Sequence, residues 1–528
     1  MLIQVSRFII VLFVLSASIA KAQSPYTIKG KILGLKDTSI YLANYYGSKL
    51  YYNDTAKVDS KGMFSFPGKA YNECGKYALV LPGPKLIEFI VDQENIFIEA
   101  DTSGRIDGIK VKESENNRIF FDYVRFINDK RKQREPCDKQ LSDTVNVPTE
   151  ADKERCKELI NRLNDEVVAY QKNLLDKYPN LLAVKLLKMN IEIEVPEAPQ
   201  GLSEDDAGKW KYYYYRDHYW DNVDLKDPRM VRDQGFQRLL EKYSSQVMPM
   251  IPDTICVLAK NLIDKTAGNE DGFKFIVHHF TYWGETSKIM CMDRVFVFMV
   301  ENYYKTGKVS WLKEDKMKQI VEASDEKRYC LCGEIAPNII LPDTTEKKWV
   351  SMYDAGAKYT MVVIWESNCG HCKKEIPKLL DVYHKWKDKG LGVYAIENEL
   401  ENKEWKKFVR EKNLDWINVS DSPAIMKQDS ANVLMLKRIT TEQSLNYRKY
   451  WDVNSTPKMY LMDKDHKIIA KGLSAEQFDE LLQKLEDGSE DPLKNIIMSE
   501  PEPEDEAPKK QTPRPNPKKV NPPKQSNQ

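Results

Sequence analysis

The two thiols best suited to chemistry in this sequence stand two residues apart, at Cys369 and Cys372 of a Cys-Gly-His-Cys tetrapeptide. The run before them, 359–365, is apolar and rich in β-branched residues, which predicts a buried strand. The run after them, 373–383, predicts a helix. A helix N-terminus stabilises negative charge and therefore favours a thiolate. Two thiols at such a position can close a small disulfide and reopen it, so the sequence predicts a redox-active pair.

The order of the two cysteines predicts their roles. Cys369 lies nearer the start of the helix and is expected to be more exposed, which assigns it as the attacking thiolate. Cys372 lies one turn further in and is expected to resolve the mixed disulfide that forms. Gly370 and His371 between them are expected to tune the pair, and His371 can stabilise the Cys369 thiolate and with it the reduced form.

A Thr-Pro step further along the chain supports the same interpretation. Thr456-Pro457 leads directly into the apolar run 458–462, which predicts another strand. Proline at the start of a strand is unusual unless its peptide bond is cis or the strand begins there.

In these motifs the chain resembles the TlpA/ResA-like periplasmic thiol-disulfide oxidoreductases of the thioredoxin superfamily, over residues 333–487. The residues that carry the resemblance are Trp365, Cys369, Cys372, Glu375, Pro377, Thr456 and Pro457. The resemblance implies that Pro457 is cis and that it packs with Trp365 beside the active disulfide. It also implies that the segment at Thr456 holds the substrate by backbone hydrogen bonds and that Pro377 kinks the helix.

One position departs from the wider superfamily. Thioredoxins proper carry a buried aspartate six residues before the first active cysteine, where this sequence has Val363. In thioredoxins this aspartate assists proton transfer. Here Glu366 and Glu397 are the nearest candidate acids for that role by strand position, and the alternative is that no acid assists proton transfer. The Cys-Gly-His-Cys sequence itself resembles that of protein disulfide isomerases, so the expected potential lies above ~−270 mV, towards ~−180 mV.

Two other functions of a cysteine pair are a zinc site and a thiol peroxidase. Cys330 and Cys332 lie upstream and could complete a zinc site, but structural zinc sites use paired cysteines in loops, whereas here one pair opens a helix. Neither a metal nor a cofactor is expected. A thiol peroxidase would need a Pro-x-x-x-Thr/Ser-x-x-Cys segment, and Val362 and Glu366 occupy its first two defined positions.

Composition and the N-terminus bear on location. The 528 residues include 80 Lys+Arg and 80 Asp+Glu, and this balance argues against a nucleic-acid partner. Residues 1–22 read as a signal peptide with a basic start, a short apolar core and an Ala-Lys-Ala cleavage site. Export to a periplasm is therefore expected; the alternative is an uncleaved segment that anchors the protein in the membrane.

The remaining cysteines suggest structural disulfides. Cys137 and Cys156 flank a polar turn between two helical patterns and are the best candidate pair. For Cys330 and Cys332 three options stay open: a bond to one another, bonds elsewhere, or a relay to the active pair. Cys256 and Cys291 are weaker candidates for a disulfide, and the alternative is that both are lone buried thiols.

The sequence pattern predicts a multidomain protein. It comprises an N-terminal β-sandwich (23–113), an α-helical middle domain (114–328), a C-terminal α/β thioredoxin fold (333–487) and a disordered tail rich in Pro, Lys and Glu (488–528). The aromatic run 212–215 in the middle domain is expected to place two of its tyrosines in the core.

These observations predict a periplasmic thiol-disulfide oxidoreductase that exchanges disulfides with exported cysteine-containing proteins. Whether it acts as reductase, isomerase or oxidant depends on its redox partner, which is expected to be a membrane electron donor or acceptor. The alternative is a non-catalytic cell-envelope binding protein that uses the thioredoxin fold as a scaffold, and the intact cysteine pair argues against it. The segment 333–487 is expected to fold and reduce disulfides alone.

Overall fold

In a computed structural model the chain forms two units, one of residues up to 249 together with 257–279, the other of 250–256 together with 280 onwards. The structure describes residues 26–68, 73–83, 85–356, 358–399, 402–421, 428–489, 492–493 and 496–498. The predicted signal peptide and nearly all of the predicted tail lie outside these residues. Within them, no helix has both the length and the apolar character needed to cross a membrane.

The first unit begins with two four-stranded sheets, ordered β4-β1-β7-β8 and β3-β2-β5-β6. Apolar residues of both sheets share one buried core, so the sheets pack face to face. Half of the ten side chains of β3 are exposed. The strands are β1 (Thr27–Leu33), β2 (Thr38–Tyr46), β3 (Lys49–Val58), β4 (Met63–Pro67), β5 (Gly75–Leu81), β6 (Lys85–Val91), β7 (Ile96–Asp101) and β8 (Lys110–Glu113).

Helices follow the sheets. Two long helices, α1 and α2, are joined by the Cys137–Cys156 disulfide, which confirms that predicted pair. Helices α6 and α7 contribute residues to both units of the chain. The helices are α1 (Glu115–Leu141), α2 (Glu150–Lys177), α3 (Leu182–Met189), α4 (Glu204–His218), α5 (Gln234–Lys242), α6 (Pro252–Asp264) and α7 (Glu270–Thr286).

The expected burial of tyrosines on α4 is wrong. No residue of this helix is buried, and Tyr212 and Tyr213 are exposed. The rings instead lie along the surface and use their hydroxyls: Tyr212 donates to the carbonyl of Val247 at 3.0 Å, and Tyr215 bonds to Glu192 and Lys242. A tyrosine can satisfy its polar end in this way without entering a core.

The second unit is built on a five-stranded sheet of order β13-β12-β11-β14-β15. Strands β11, β12 and β13 are parallel, and β14 and β15 are antiparallel to their neighbours. The strands are β9 (Ile340–Pro342), β10 (Trp349–Ser351), β11 (Tyr359–Trp365), β12 (Leu391–Glu397), β13 (Ile417–Ser420), β14 (Lys458–Met462) and β15 (Ile468–Lys471). The helices are α8 (Asp293–Met299), α9 (Glu314–Lys327), α10 (Gly370–Trp386), α11 (Asn402–Glu411), α12 (Gln428–Leu436), α13 (Glu442–Leu445), α14 (Tyr447–Tyr450) and α15 (Ala475–Glu486).

Each face of this sheet carries its own core. Odd-numbered residues of β11 and β12 join the cluster that contains Cys372 of α10 and Phe478 of α15. Even-numbered residues of the same strands join a second cluster with Tyr447 and Trp451. The period of two along a strand therefore decides which side chains share a face with Cys372.

Cysteine pairing in this unit differs from expectation. Cys332 bonds to Cys291, so Cys291 is not a lone thiol and Cys330 and Cys332 do not pair with each other. Cys330 is a buried thiol that lies 2.9 Å from the carbonyl oxygen of Tyr450. The Cys291–Cys332 bond links the residues just before α8 to the segment that leads into the sheet, a contact across 41 positions of sequence.

Candidate functional site

The cysteine pair lies where β11 ends and α10 begins. Cys369 is the residue before the first helical position, with extended backbone angles and a partly exposed side chain. Its Sγ lies 3.6 Å from the carbonyl oxygen of Thr456, which it faces as a weak donor. Cys369 therefore meets both the amide end of a helix, which stabilises a thiolate, and the solvent.

Cys372 has the opposite environment. Its side chain is fully buried in the first turn of α10, and its Sγ accepts a hydrogen bond from the amide of Glu366 at 3.5 Å. Burial raises the pKa of the Cys372 thiol. The accessible sulfur of Cys369 suits the attacking thiolate, and the buried sulfur of Cys372, one helical turn away, suits the resolving thiol.

The surface above the pair is open. A Cβ atom added at Gly370 would meet nothing within 4 Å. His371 is partly exposed in the first turn of α10, and its ring makes no hydrogen bond to any residue that the structure describes. A protein substrate can therefore approach Cys369 from this side.

The Thr-Pro step lies beside the pair, at the start of β14, the strand next to β11. The Thr456–Pro457 peptide bond is cis, as the resemblance implied, and β14 begins at the next residue. Asp452 fixes the two ends of the loop that contains Pro457. Its carboxylate accepts a hydrogen bond from the side chain of Asn454 at 2.7 Å and forms an ion pair with Lys458 Nζ at 3.2 Å. Lys327 of α9 binds the same carboxylate at 3.1 Å. Burial opposes its ionisation, but the two lysines hold the pKa of Asp452 below its ordinary value.

The other residues of the resemblance have structural partners. Trp365 is fully buried in the same core cluster as Cys372, and its ring packs against Phe408 at 5.2 Å. Pro377 lies within α10, which continues through it as one helix. Glu375 accepts a hydrogen bond from the amide of Ala475 at 2.6 Å, at the first position of α15. Its carboxylate is thus used to fix one helix against another.

Of the two candidate acids, Glu366 belongs to a polar network at the end of the sheet. Its carboxylate accepts from the side chain of Asn398 at 2.7 Å, and Tyr447 donates to the same amide at 3.1 Å. Arg448 donates to the carbonyl of Asn398 at 2.7 Å and pairs with Asp421. Glu366 is therefore partly exposed, and its carboxylate is hydrogen-bonded to Asn398 on the side of the sheet that Tyr447 covers.

Glu397, the second candidate acid, is fully buried at the end of β12. It is paired in register with Trp365 of the neighbouring strand. One carboxylate oxygen accepts from the amide of Ser367 at 3.2 Å, and the other has no hydrogen-bond partner among the described residues. Burial raises the pKa of Glu397 to about 8, despite the amides of Ser367 and Glu399.

Several residues around the pair were not identified from the sequence. Asn398 and Arg448 look like ordinary surface residues in the sequence, because their partners lie tens of positions away, and so does Lys327, the distant partner of Asp452. The signal that could have found Asp452 is its place five residues before Pro457, with Lys458 just after the turn.

Comparisons with known proteins divide the chain in three. Residues 332–471 match the AhpC/TSA family. Residues 26–120 and 130–326 match two families described as domains of unknown function, DUF4369 and DUF5106.

The relatives of the C-terminal part include thiol-disulfide oxidoreductases named ResA. The one from Bacillus cereus is 26% identical over 163 residues, which are 30% of this chain and 82% of the relative. The one from Bacillus anthracis is 26% identical over 158 residues, 30% of this chain and 78% of the relative.

Solved structures with similarity to this chain include a domain of a possible thiol-disulfide isomerase from Cytophaga hutchinsonii. It is 36% identical, covers 30% of this chain and 95% of its own, and has a TM-score of 0.25. A thioredoxin-like protein from Bacteroides caccae is 19% identical, covers 56% of this chain and 98% of its own, and has a TM-score of 0.39.

Proposed function

We propose that this protein, whose C-terminal part is a thioredoxin-like thiol-disulfide oxidoreductase domain, exchanges disulfides with exported cysteine-containing proteins through Cys369 and Cys372. The observation that carries the proposal is the contrast between the two sulfurs, one partly exposed at a helix N-terminus and the other fully buried one turn later.

The exchange proceeds in two displacements. The Cys369 thiolate attacks one sulfur of a substrate disulfide, forms a mixed disulfide and releases the first substrate thiolate, which takes up a proton. Cys372 then loses its proton and attacks Cys369 Sγ, which expels the second substrate thiolate. The protein is left with a Cys369–Cys372 disulfide and the substrate with two thiols. A membrane electron donor would return the pair to the dithiol and so make the protein a reductase. Isomerase action would instead need a different thiolate of the substrate to attack the mixed disulfide, which forms a new substrate disulfide and releases the Cys369 thiolate.

The substrate is proposed to lie along the loop that ends in Pro457. The carbonyl of Thr456 already faces Cys369 Sγ, so an extended peptide bonded to this loop would bring its own sulfur to Cys369. The open space above Gly370 leaves room for the rest of the substrate.

The test is reduction of insulin disulfides by the full chain after its pair has been reduced with dithiothreitol. Turnover well above the rate with dithiothreitol alone, lost in Cys369→Ser, supports the proposal. A rate equal to that of dithiothreitol alone would favour a non-catalytic binding protein. Proposed export is tested separately by N-terminal sequencing of the protein recovered from a periplasmic fraction, with Gln23 expected first.

A further inference from the structure

We propose that Glu397 is the proton acceptor and donor for Cys372 during thiol-disulfide exchange. This inference rests on the proposed function and deepens it by naming the group that carries the proton of the resolving thiol.

The placement of Glu397 follows from the sheet. Side chains alternate between the faces of a strand, so Glu397 shares its face with Val393 and Ala395 of the same strand. Those two residues belong to the core cluster that contains Cys372, and Trp365, the register partner of Glu397, belongs to it as well. The carboxyl group therefore stands at the end of the face that buries the resolving sulfur.

Adjacent amides bring the two groups into the same turn. The amide of Glu366 donates to Cys372 Sγ at 3.5 Å, and the amide of the next residue, Ser367, donates to the Glu397 carboxylate at 3.2 Å. Successive backbone nitrogens are about 3–4 Å apart, so the sulfur and the carboxylate lie within about 10 Å of each other. Proton transfer across this separation needs bridging water molecules.

The free oxygen of Glu397 supports this role. A buried carboxylate oxygen normally has a hydrogen-bond partner, and this one has none among the described residues. Nor does any lysine, arginine or histidine among them form an ion pair with Glu397. A carboxyl group without a counter-ion in a buried site can hold a proton at neutral pH and release it a little above.

The titratable groups that face Glu397 come from three elements. Glu399 follows it in the chain, Glu366 follows β11, and Tyr447 lies on α14. The two carboxylates both oppose ionisation of Glu397, and Tyr447 stays neutral because burial raises its pKa well above 10.0. Glu366 is distinguished from Glu397 by its exposure and by its bond to Asn398.

The proton is conserved through the cycle. In resolution the Cys372 thiol gives its proton to the Glu397 carboxylate, the resulting thiolate forms the bond to Cys369 Sγ, and the departing substrate thiolate takes a proton from solvent. In the reverse direction a donor thiolate attacks Cys369, the Cys369–Cys372 bond breaks, and the Cys372 thiolate takes the proton from the protonated Glu397. No further oxidant or reductant is needed.

The experiment is a single turnover of the reduced full chain with oxidised glutathione, quenched with acid and analysed by mass spectrometry between pH 6 and 9.5. The method follows formation and decay of the Cys369–glutathione mixed disulfide separately. If no mixed disulfide forms in the unmodified chain, the proposed function fails, and the role of Glu397 fails with it. If it forms and decays, the function stands and the decay rate tests Glu397.

In the unmodified chain the decay rate is expected to rise with pH through an inflection near 8. Glu397→Gln should slow decay at pH 7 by about 10²-fold, remove that inflection and leave formation unchanged. Glu397→Asp should keep the inflection, and the control Glu480→Gln, at an exposed position on α15, should change decay less than about twofold. Equal slowing of formation and decay in Glu397→Gln, or decay with an unchanged pH profile, would overturn the proposal. Should Glu397→Gln not fold, loss of the inflection in Glu397→Asp gives the same negative result.

Discussion

Asp452 and Lys458 form an ion pair of 3.2 Å across the turn that contains the cis-proline. The same carboxylate binds Lys327, so one buried side chain connects the loop facing Cys369 to helix α9. The geometry of the loop is therefore set by a residue that never faces the reacting sulfurs.

Asp452→Asn is expected to weaken substrate binding more than it slows the chemistry. Loss of the negative charge leaves two lysines without their partner and loosens the loop, at a cost of about 3 kcal/mol in stability. We expect the KM for insulin to rise at least about fivefold while the single-turnover rate with oxidised glutathione changes little. Asp415→Asn is the matched control, since that aspartate also binds two basic side chains, His384 in the last turn of α10 and Lys387 just after it, at the opposite end of the helix from Cys369. A similar loss of insulin binding in both variants would contradict the assignment.

Exchange of the two active cysteines for serine should have different effects. Cys372→Ser retains the accessible nucleophile and loses the resolving thiol, so it should accumulate covalent complexes with substrate proteins. Cys369→Ser should accumulate none, because Cys372 Sγ is buried. Non-reducing electrophoresis after acid quenching measures both. Comparable complexes in the two variants would show that the roles are wrongly assigned.

The raised pKa of Glu397 predicts a particular dependence of stability on pH. Between its ordinary value of 4.5 and about 8 the folded state retains a proton that the unfolded chain releases. Stability should therefore fall as pH rises through this range, by about 1.4 kcal/mol per pH unit. Glu397→Gln removes this contribution. The difference in unfolding free energy between the unmodified chain and Glu397→Gln, measured in urea at several pH values, should decline from pH 5 to 8 and then level off. A difference that does not vary with pH would mean that Glu397 titrates normally.

The boundary of the active domain should lie upstream of the one predicted from sequence. The fragment 333–487 lacks Cys332 and its partner Cys291, and it leaves Lys471 buried without the aspartate at position 293 that binds it. It also lacks the hydrogen bond between the amide of Met290 and the carbonyl of Ile496.

A fragment of residues 280–498 should therefore be the more stable of the two. Closing a loop of 41 positions contributes about 4 kcal/mol by the chain-entropy argument. Thermal unfolding followed by circular dichroism, alongside insulin reduction, compares the two fragments. The control is 280–498 with Cys291→Ser and Cys332→Ser, which separates the disulfide from the other contacts. Equal stability of all three would restore the boundary at 333.

The sequence predicted the parts of the site that local pattern determines. An apolar strand, a cysteine pair and a helix follow one another within some 25 residues, and the Thr-Pro step marks its own loop. The Cys291–Cys332 bond and the Lys327–Asp452 ion pair could not be predicted, because their members meet only after the chain has folded back over 41 and 125 positions. The predicted burial of two tyrosines on α4 was wrong because aromatic rings count as apolar in a periodic pattern. Their hydroxyl groups form hydrogen bonds that let the side chains remain at the surface.

The two disulfides of the chain have a consequence for its own biogenesis. A protein proposed to open disulfides in other chains carries two of them, Cys137–Cys156 and Cys291–Cys332, and each newly made copy is therefore a candidate client of the finished copies. Cys137 and Cys156 are buried, and so protected once the chain has folded. An unfolded copy exposes the Cys137–Cys156 bond that a folded copy conceals, whereas Cys291 and Cys332 stay partly exposed in the folded chain.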